Sequence, residues 1–66
     1  MEYTNSQIKF LIEEYVHNSQ DREMLYSRLV DGLTFEQIGF NFGMTTKTVR
    51  KRIRKQEDII FRHLPG

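Results

Sequence analysis

Residues 34–55 read TFEQIGFNFGMTTKTVRKRIRK, and this stretch decides the fold. Thr34 with Gln37 three residues later has the pattern of a capping box, which starts a helix. Gly43 is the residue type that most readily ends a helix in a left-handed conformation. Thr45, two residues later, is a suitable N-cap for another helix. The stretch predicts a short helix, a tight turn and a second helix that carries most of the basic residues.

The two helices meet the demands of a helix-turn-helix in register. Gly39 is small, as a residue must be where the two helices approach closely. Gly43 can adopt the positive φ that the turn requires. Three apolar residues can pin the second helix against Ile38: Met44, Val49 and Ile53. We therefore place a helix-turn-helix at about residues 34–55.

The N-terminal part of the chain predicts two further helices. The first has an apolar face with helical spacing, formed by Ile8, Leu11, Ile12, Tyr15 and Val16. Its N-cap is Thr4, Asn5 or Ser6. The second runs from about Asp21 to Val30 with Ser19 as N-cap, and Gly32 ends it. Its buried residues are expected to be Met24, Leu25 and Leu29, with Val30 as a further candidate.

The last helix is predicted over about residues 46–63. Its inward face carries Val49, Ile53, Ile60 and Leu64, with Gln56 in the slot between, and Pro65-Gly66 closes it. Phe35, Ile38 and Phe42 form the apolar side of the helix before it. No strand-like alternation or linker interrupts the chain. The expected fold is all-α, with four helices in a single domain that spans residues 1–66.

Composition excludes several function classes. The chain has 66 residues and no cysteine, so a disulfide or thiolate metal site is excluded. No apolar run approaches the roughly 18 residues of a membrane span, and no signal-peptide pattern opens the chain. His17 and His63 have no ligand partners at metal spacing, so neither metal nor cofactor is expected. A chain this short cannot hold the groups that activate a tyrosine nucleophile, and we expect no enzyme.

The charge is strongly divided along the chain. Residues 1–45 carry three basic and seven acidic residues, whereas residues 46–66 carry seven basic and two acidic ones. Six of the ten basic residues fall within nine positions, with no acidic residue among them: Lys47, Arg50, Lys51, Arg52, Arg54 and Lys55. A concentrated positive patch indicates a polyanionic partner. In a helix-turn-helix, that partner is double-stranded DNA.

The chain also resembles a known family in several segments: DREML at 21–25, DGLTFEQIG at 31–39, FGMT at 42–45 and TVR at 48–50. Together these are similar to region 4 of bacterial sigma factors, and the DNA-binding domain of LuxR-type regulators shares much of the pattern. The resemblance covers about residues 19–64. It implies a last helix that enters the major groove of promoter DNA, and other surfaces that contact RNA polymerase. It also implies a bacterial or phage regulator that is cytoplasmic and nucleoid-associated.

Three departures from the family pattern qualify what the resemblance implies. Sigma factors usually have an Arg-Glu pair where this chain has Thr46-Lys47, so the target differs from the common promoter hexamer. Nothing in the chain corresponds to the domain that melts the promoter. Phe40 occupies a position that is normally polar. The chain therefore resembles a region-4 domain working alone or excised from a larger protein.

Individual roles follow from position on the predicted recognition helix. Lysine pairs with guanine acceptors and threonine contacts the thymine methyl, so the expected base readers are Thr46, Lys47 and Lys51. Residues further along, to the side or at helix N-termini are expected at phosphates: Thr34, Thr45, Thr48, Arg50, Arg54 and Lys55. Arg52 points partly toward the body of the protein. It either contacts phosphate or forms a salt bridge to an acidic residue of the first two helices.

Three apolar residues are candidates for contact with a protein partner. Phe40 either packs on the first helix or stays exposed for a partner. Ile59 and Phe61 can help close the core or form a weak homodimer seam on the last helix. One alternative function is therefore a protein-interaction module that binds RNA polymerase or a sigma factor through the acidic half. Another is an excisionase-like recombination accessory, although that class usually has a winged fold with strands.

Overall fold

A computed structural model describes residues 3–63, which form four helices and no strand. Helix α1 spans Asn5–Tyr15. Helix α2 spans Ser19–Leu25 and continues as a π-helical segment over Tyr26–Val30. Helix α3 spans Phe35–Phe42, and α4 spans Thr46–Arg62. The all-α class and the four predicted helices are confirmed, and the predicted roles of Leu64, Pro65 and Gly66 lie outside the described residues.

Each of the four helices begins at an N-cap residue whose side chain accepts a hydrogen bond from the backbone amide three residues ahead. Thr4 and Thr34 each form a complete capping box, with Gln7 and Gln37 respectively. Thr45 Oγ1 accepts a hydrogen bond from the Thr48 amide at 3.2 Å. The predicted N-cap of α2 is wrong by one residue. Asn18, rather than Ser19, caps it, because Asn18 Oδ1 reaches the Asp21 amide at 3.0 Å.

One core joins all four helices. Its members are Ile8, Leu11, Ile12, Val16, Met24, Leu25, Ile38, Val49, Ile53 and Ile60. Every one of these was predicted to lie on an inward helical face. Leu29 was expected in the core but is only partly buried. The π-helical turn explains the difference, since wider i→i+5 bonding rotates the residues after Tyr26 away from the α-helical face.

The connection between α3 and α4 is tight. Gly43 has φ +66° and ends α3, and the Met44 amide donates to the Gly39 carbonyl at 2.8 Å. A Cβ on Gly39 would lie 2.6 Å from the Met44 carbonyl oxygen. Gly39 was expected where the two helices cross, and it does sit at a close approach. The group it approaches is the backbone of the turn itself.

Polar contacts tie α1 to α2. Arg22 donates from Nε to the Val16 carbonyl and from Nη2 to the Glu13 carbonyl, so it satisfies groups at the end of α1. The Tyr26 hydroxyl donates to Glu13 Oε1 at 3.2 Å. Burial and this hydrogen bond raise the pKa of Tyr26 above 10.0. The rings of Tyr15 and His63 stack with centroids 3.9 Å apart, which joins the last residue of α1 to the end of α4.

Candidate nucleic-acid interface

The interface begins at the N-terminus of α4, which the Thr45 cap holds in place. Thr45 Oγ1 also donates to Thr48 Oγ1 at 2.9 Å, so the two hydroxyls form one short chain. Thr48 is exposed and its own hydroxyl proton stays available. Thr46, a predicted base reader, is half-buried at the first position of the helix, whereas Lys47 is exposed. The start of α4 therefore presents a lysine flanked by two hydroxyl groups.

The cationic side chains of α4 share one exposed face. Lys47, Lys51 and Arg54 follow one another at spacings of four and three residues, which at about 100° per residue keeps them within about 60° of arc. Arg50 and Lys55 border this row on opposite sides, and all five are exposed. We call these five residues the cationic face. Arg54 was expected to lie beyond or beside the base readers, and the structure places it on the same row, about 10 Å beyond Lys47 along the axis.

The cationic face makes no internal ion pair. Within residues 3–63 its five members form no salt bridge, whereas the two remaining arginines of α4 do. Arg62 pairs with Asp58 one turn before it. Arg52 pairs with Asp21 at 2.7 Å, so of the two roles considered for it the structure supports the salt bridge. The exposed cations remain free to meet an external anion.

Arg28 adds a cation that the sequence analysis did not single out. Its guanidinium carbon lies 4.3 Å from the Phe35 ring centroid, and that of Arg50 lies 5.6 Å from the same centroid. Arg28 Nη1 also donates to the Leu33 carbonyl at 2.9 Å, which fixes the side chain. The aromatic ring thus holds one arginine from α2 and one from α4 at the edge of the cationic face. No local sequence signal could have paired them, because 22 positions separate them.

Glu57 is the acidic residue next to this edge. Burial raises the pKa of Glu57 above 4.5, and the charges of Arg28 and Arg54 oppose that increase. The carboxyl group therefore holds its proton more strongly than an exposed glutamate does.

The N-terminus of α3 differs from that of α4. Thr34 Oγ1 accepts from the Gln37 amide at 3.1 Å, and the Gln37 side chain accepts from the Thr34 amide at 2.9 Å. Glu36 lies exposed in the first turn of α3, whereas the first turn of α4 has no acidic residue. Anions are favoured at a helix N-terminus when no negative side chain competes. The start of α4 is therefore the better phosphate position, and Thr34 the weaker of the threonines predicted for that role.

The three apolar candidates separate in the structure. Phe40 is 88% exposed, so of the two alternatives considered for it the structure supports exposure and contradicts packing on the first helix. Its position on the outer side of α3 explains this, because Ile38 and Gly39 face inward instead. Phe61 is 41% exposed near the end of α4. Ile59 is half-buried, and its neighbour Ile60 is the residue that closes the core.

Residues 3–63 contain no group of three or more histidine, cysteine, aspartate or glutamate side chains arranged to hold a metal ion. Within the same range, no helix has the length and apolar character needed to cross a membrane. No protein-family model, curated protein or solved structure matches the chain significantly. The functional assignment therefore depends on the geometry of this face.

Proposed function

We propose that the protein binds double-stranded DNA and regulates transcription, with α3, the turn at Gly43 and α4 acting as a helix-turn-helix. The observation that carries the proposal is the cationic face of α4, whose five exposed side chains form no salt bridge within residues 3–63. Like charges concentrated this way repel one another unless an external anion neutralises them. A nucleic-acid backbone supplies such an anion.

The dimensions of α4 fit the major groove. Its 17 residues extend about 25 Å, and a helix with side chains is about 10–12 Å wide, close to the roughly 12 Å width of the groove. With the start of α4 in the groove, Lys47 and Lys51 reach base edges and Thr46 contacts a neighbouring base. Arg50 and Lys55 then face the phosphates on either side, and Arg28 joins them at the edge. Arg54 meets a phosphate further along the helix axis.

The first test measures the affinity of the protein for a mixed-sequence DNA duplex. Binding is monitored by fluorescence anisotropy at several salt concentrations. Four to six phosphate contacts predict a slope of log affinity against log salt of about −4 to −5. The matched control is Arg62→Ala, since Arg62 already pairs with Asp58 and lies at the far end of α4. The control should leave the slope unchanged. Absence of binding at low salt would overturn the proposal.

The second test separates the roles of individual cations once a preferred site has been selected. Lys47→Ala and Lys51→Ala should lower the affinity for the preferred site more than the affinity for random duplex, because base contacts specify. Arg54→Ala should weaken both by a similar factor and reduce the magnitude of the salt slope by about 1. Equal losses on both duplexes for all three variants would refute this assignment of roles.

A second candidate function is docking to RNA polymerase or a sigma factor through the outer side of α3. The observation in its favour is Phe40, 88% exposed beside a shallow hollow whose lining includes Leu33 and Gln37. A large exposed aromatic is a common anchor at protein interfaces. Phe40→Ser should then keep DNA affinity and lose transcriptional activity. Phe10→Ser is the control, since Phe10 is also exposed (62%) but lies on α1.

The homodimer and excisionase-like alternatives have less support. An excisionase-like protein usually has a winged fold that includes strands, and residues 3–63 contain none. A seam along the C-terminal helix would use Ile59 and Phe61, of which only Phe61 is well exposed. Bacterial, cytoplasmic and nucleoid-associated placement belongs to the same proposal as DNA binding.

A further inference from the structure

We infer that Asp21 is a positioning residue that sets the orientation of α4, and through it the sequence discrimination of the protein. The inference rests on the proposed DNA-binding function. Asp21 is the one charged residue buried within residues 3–63, with 8% of its surface exposed. It belongs to α2, outside the proposed helix-turn-helix. Its carboxylate contacts the side of α4 that lies away from the cationic face.

The carboxylate of Asp21 holds two successive turns of α4. Asp21 Oδ1 lies 2.7 Å from Arg52 Nη2, and Asp21 Oδ2 accepts from Gln56 Nε2 at 3.1 Å. Oδ1 is buried and has no hydrogen-bond partner within residues 3–63, so the Arg52 charge is what compensates it. Because Arg52 and Gln56 are four residues apart, they lie one above the other on the helix. One carboxylate thus contacts α4 at two points along its axis.

Arg52 extends the attachment to the turn. Its Nη1 donates to Gln20 Oε1 at 2.9 Å and approaches Met44 Sδ at 3.7 Å. The same guanidinium therefore joins the start of α2, the turn before α4 and the middle of α4. Asp21 itself is well fixed, because its amide donates to the Asn18 cap.

These contacts do what the apolar core cannot. Val49, Ile53 and Ile60 hold α4 against the core, but burial of apolar surface is non-directional and tolerates small rotations and slides. The hydrogen bonds from Gln56 to the Asp21 carboxylate and from Arg52 to Gln20 each require a particular distance and angle. Buried ion pairs contribute little net stability compared with well-packed apolar residues, and their best-attested benefit is a unique arrangement. Lys47 and Lys51 lie on the opposite side of α4 from Gln56, so a rotation of the helix displaces them from base edges.

The test compares Asp21→Asn with Glu23→Gln, which removes an exposed acidic charge from the same helix. A second variant, Asp21→Leu with Arg52→Met, replaces the pair by apolar residues and guards against simple unfolding. Affinities for the preferred site and for random duplex are measured on samples shown to be folded by circular dichroism. We expect both Asp21 variants to lose about tenfold in the ratio of the two affinities, the discrimination of roughly one base pair. The affinity of the Asp21 variants for random duplex should stay within twofold of the wild-type value. Both affinities of the Glu23→Gln control should do the same.

If Asp21 had a purely structural role, its substitution would either lower the affinities for the preferred site and for random duplex by the same factor or change neither. In both cases the ratio of the two affinities would stay unchanged. That result overturns the inference. Residual dipolar couplings of the DNA-free protein supply a measurement that does not depend on DNA binding. They should show a changed or broadened orientation of α4 relative to α2 in both Asp21 variants. An unchanged orientation overturns the inference even if the wild type binds DNA, whereas a changed orientation in a protein that binds no DNA would refute only the proposed function.

Discussion

Replacing Gly39 by alanine tests the packing on which the α3–α4 connection depends. The added Cβ would lie 2.6 Å from the Met44 carbonyl oxygen, and 3.6 Å from the carbonyl carbons of Met44 and Thr45. These atoms belong to the backbone, so no flexible side chain can move aside. The Met44 amide is also bonded to the Gly39 carbonyl at 2.8 Å, which holds the turn against α3.

The expected change in the free energy of unfolding of Gly39→Ala results from two opposing effects. Overpacking costs about 1–3 kcal/mol, and a contact this short with backbone belongs at the upper end of that range. Alanine in a helix interior is favoured over glycine by about 1 kcal/mol. The net loss in the free energy of unfolding is therefore about 2 kcal/mol. In a domain of this size, where the total is roughly 3–10 kcal/mol, that loss lowers Tm by about 8–16 °C.

Urea unfolding followed by circular dichroism measures this loss, and two controls separate its causes. Gly43→Ala meets no atom within 4 Å but has φ +66°, so it should cost about 1–2 kcal/mol from backbone conformation alone. Asn41→Ala, exposed on α3, should gain about 0.5 kcal/mol from helix propensity. Unchanged or increased stability of Gly39→Ala would refute the reasoning, because it would mean that the turn can move away from α3 at no cost.

Three further perturbations test other parts of the structure. Thr45→Ala removes the α4 cap and should cost about 1 kcal/mol in urea unfolding, whereas a loss no larger than that of Thr48→Ala would contradict the capping role. Glu57 has a raised pKa in the folded state, so the stability that its protonation contributes is full below pH 4.5 and is lost as the pH rises through the folded-state pKa. Glu57→Gln should remove that decline from a urea-unfolding pH series, and an unaltered profile would count against it. Phe61→Ser should cost about 1–2 kcal/mol in urea unfolding, because a side chain that is 41% exposed still buries more than half of its apolar surface; a stability within about 0.5 kcal/mol of the wild type would contradict this packing.

Helix limits and the inward faces could be predicted because their causes are local. A capping box needs only residues three apart, and Thr4, Thr34 and Thr45 each act on an amide of the next turn. Gly43 ends α3 for an equally local reason, its left-handed backbone. One cap was predicted at Ser19 but lies at Asn18. Capping patterns are accurate only to about one residue where adjacent polar side chains compete for the same amide.

The charge of the candidate site could also be predicted, but not its full membership. The row formed by Lys47, Lys51 and Arg54 follows from helical spacing within one element. Arg28 joined the site only because the packing of the π-helical segment Tyr26–Val30 against α3 brings it over Phe35. The sequence left open whether Phe40 packs or stays exposed, because its exposure depends on which side of α3 meets the core.

By itself the sequence determined the four helices, most of their ends, the ten buried core residues and the concentration of positive charge on α4. All of these arise from interactions between residues within one or two helical turns. Tertiary structure alone decided that Asp21 is buried against Arg52 and Gln56, that Arg28 and Arg50 share one aromatic ring, and that Phe40 points away from the core. The physical reason is that these contacts join residues far apart in the chain, and their geometry exists only after the apolar faces of the helices have packed together.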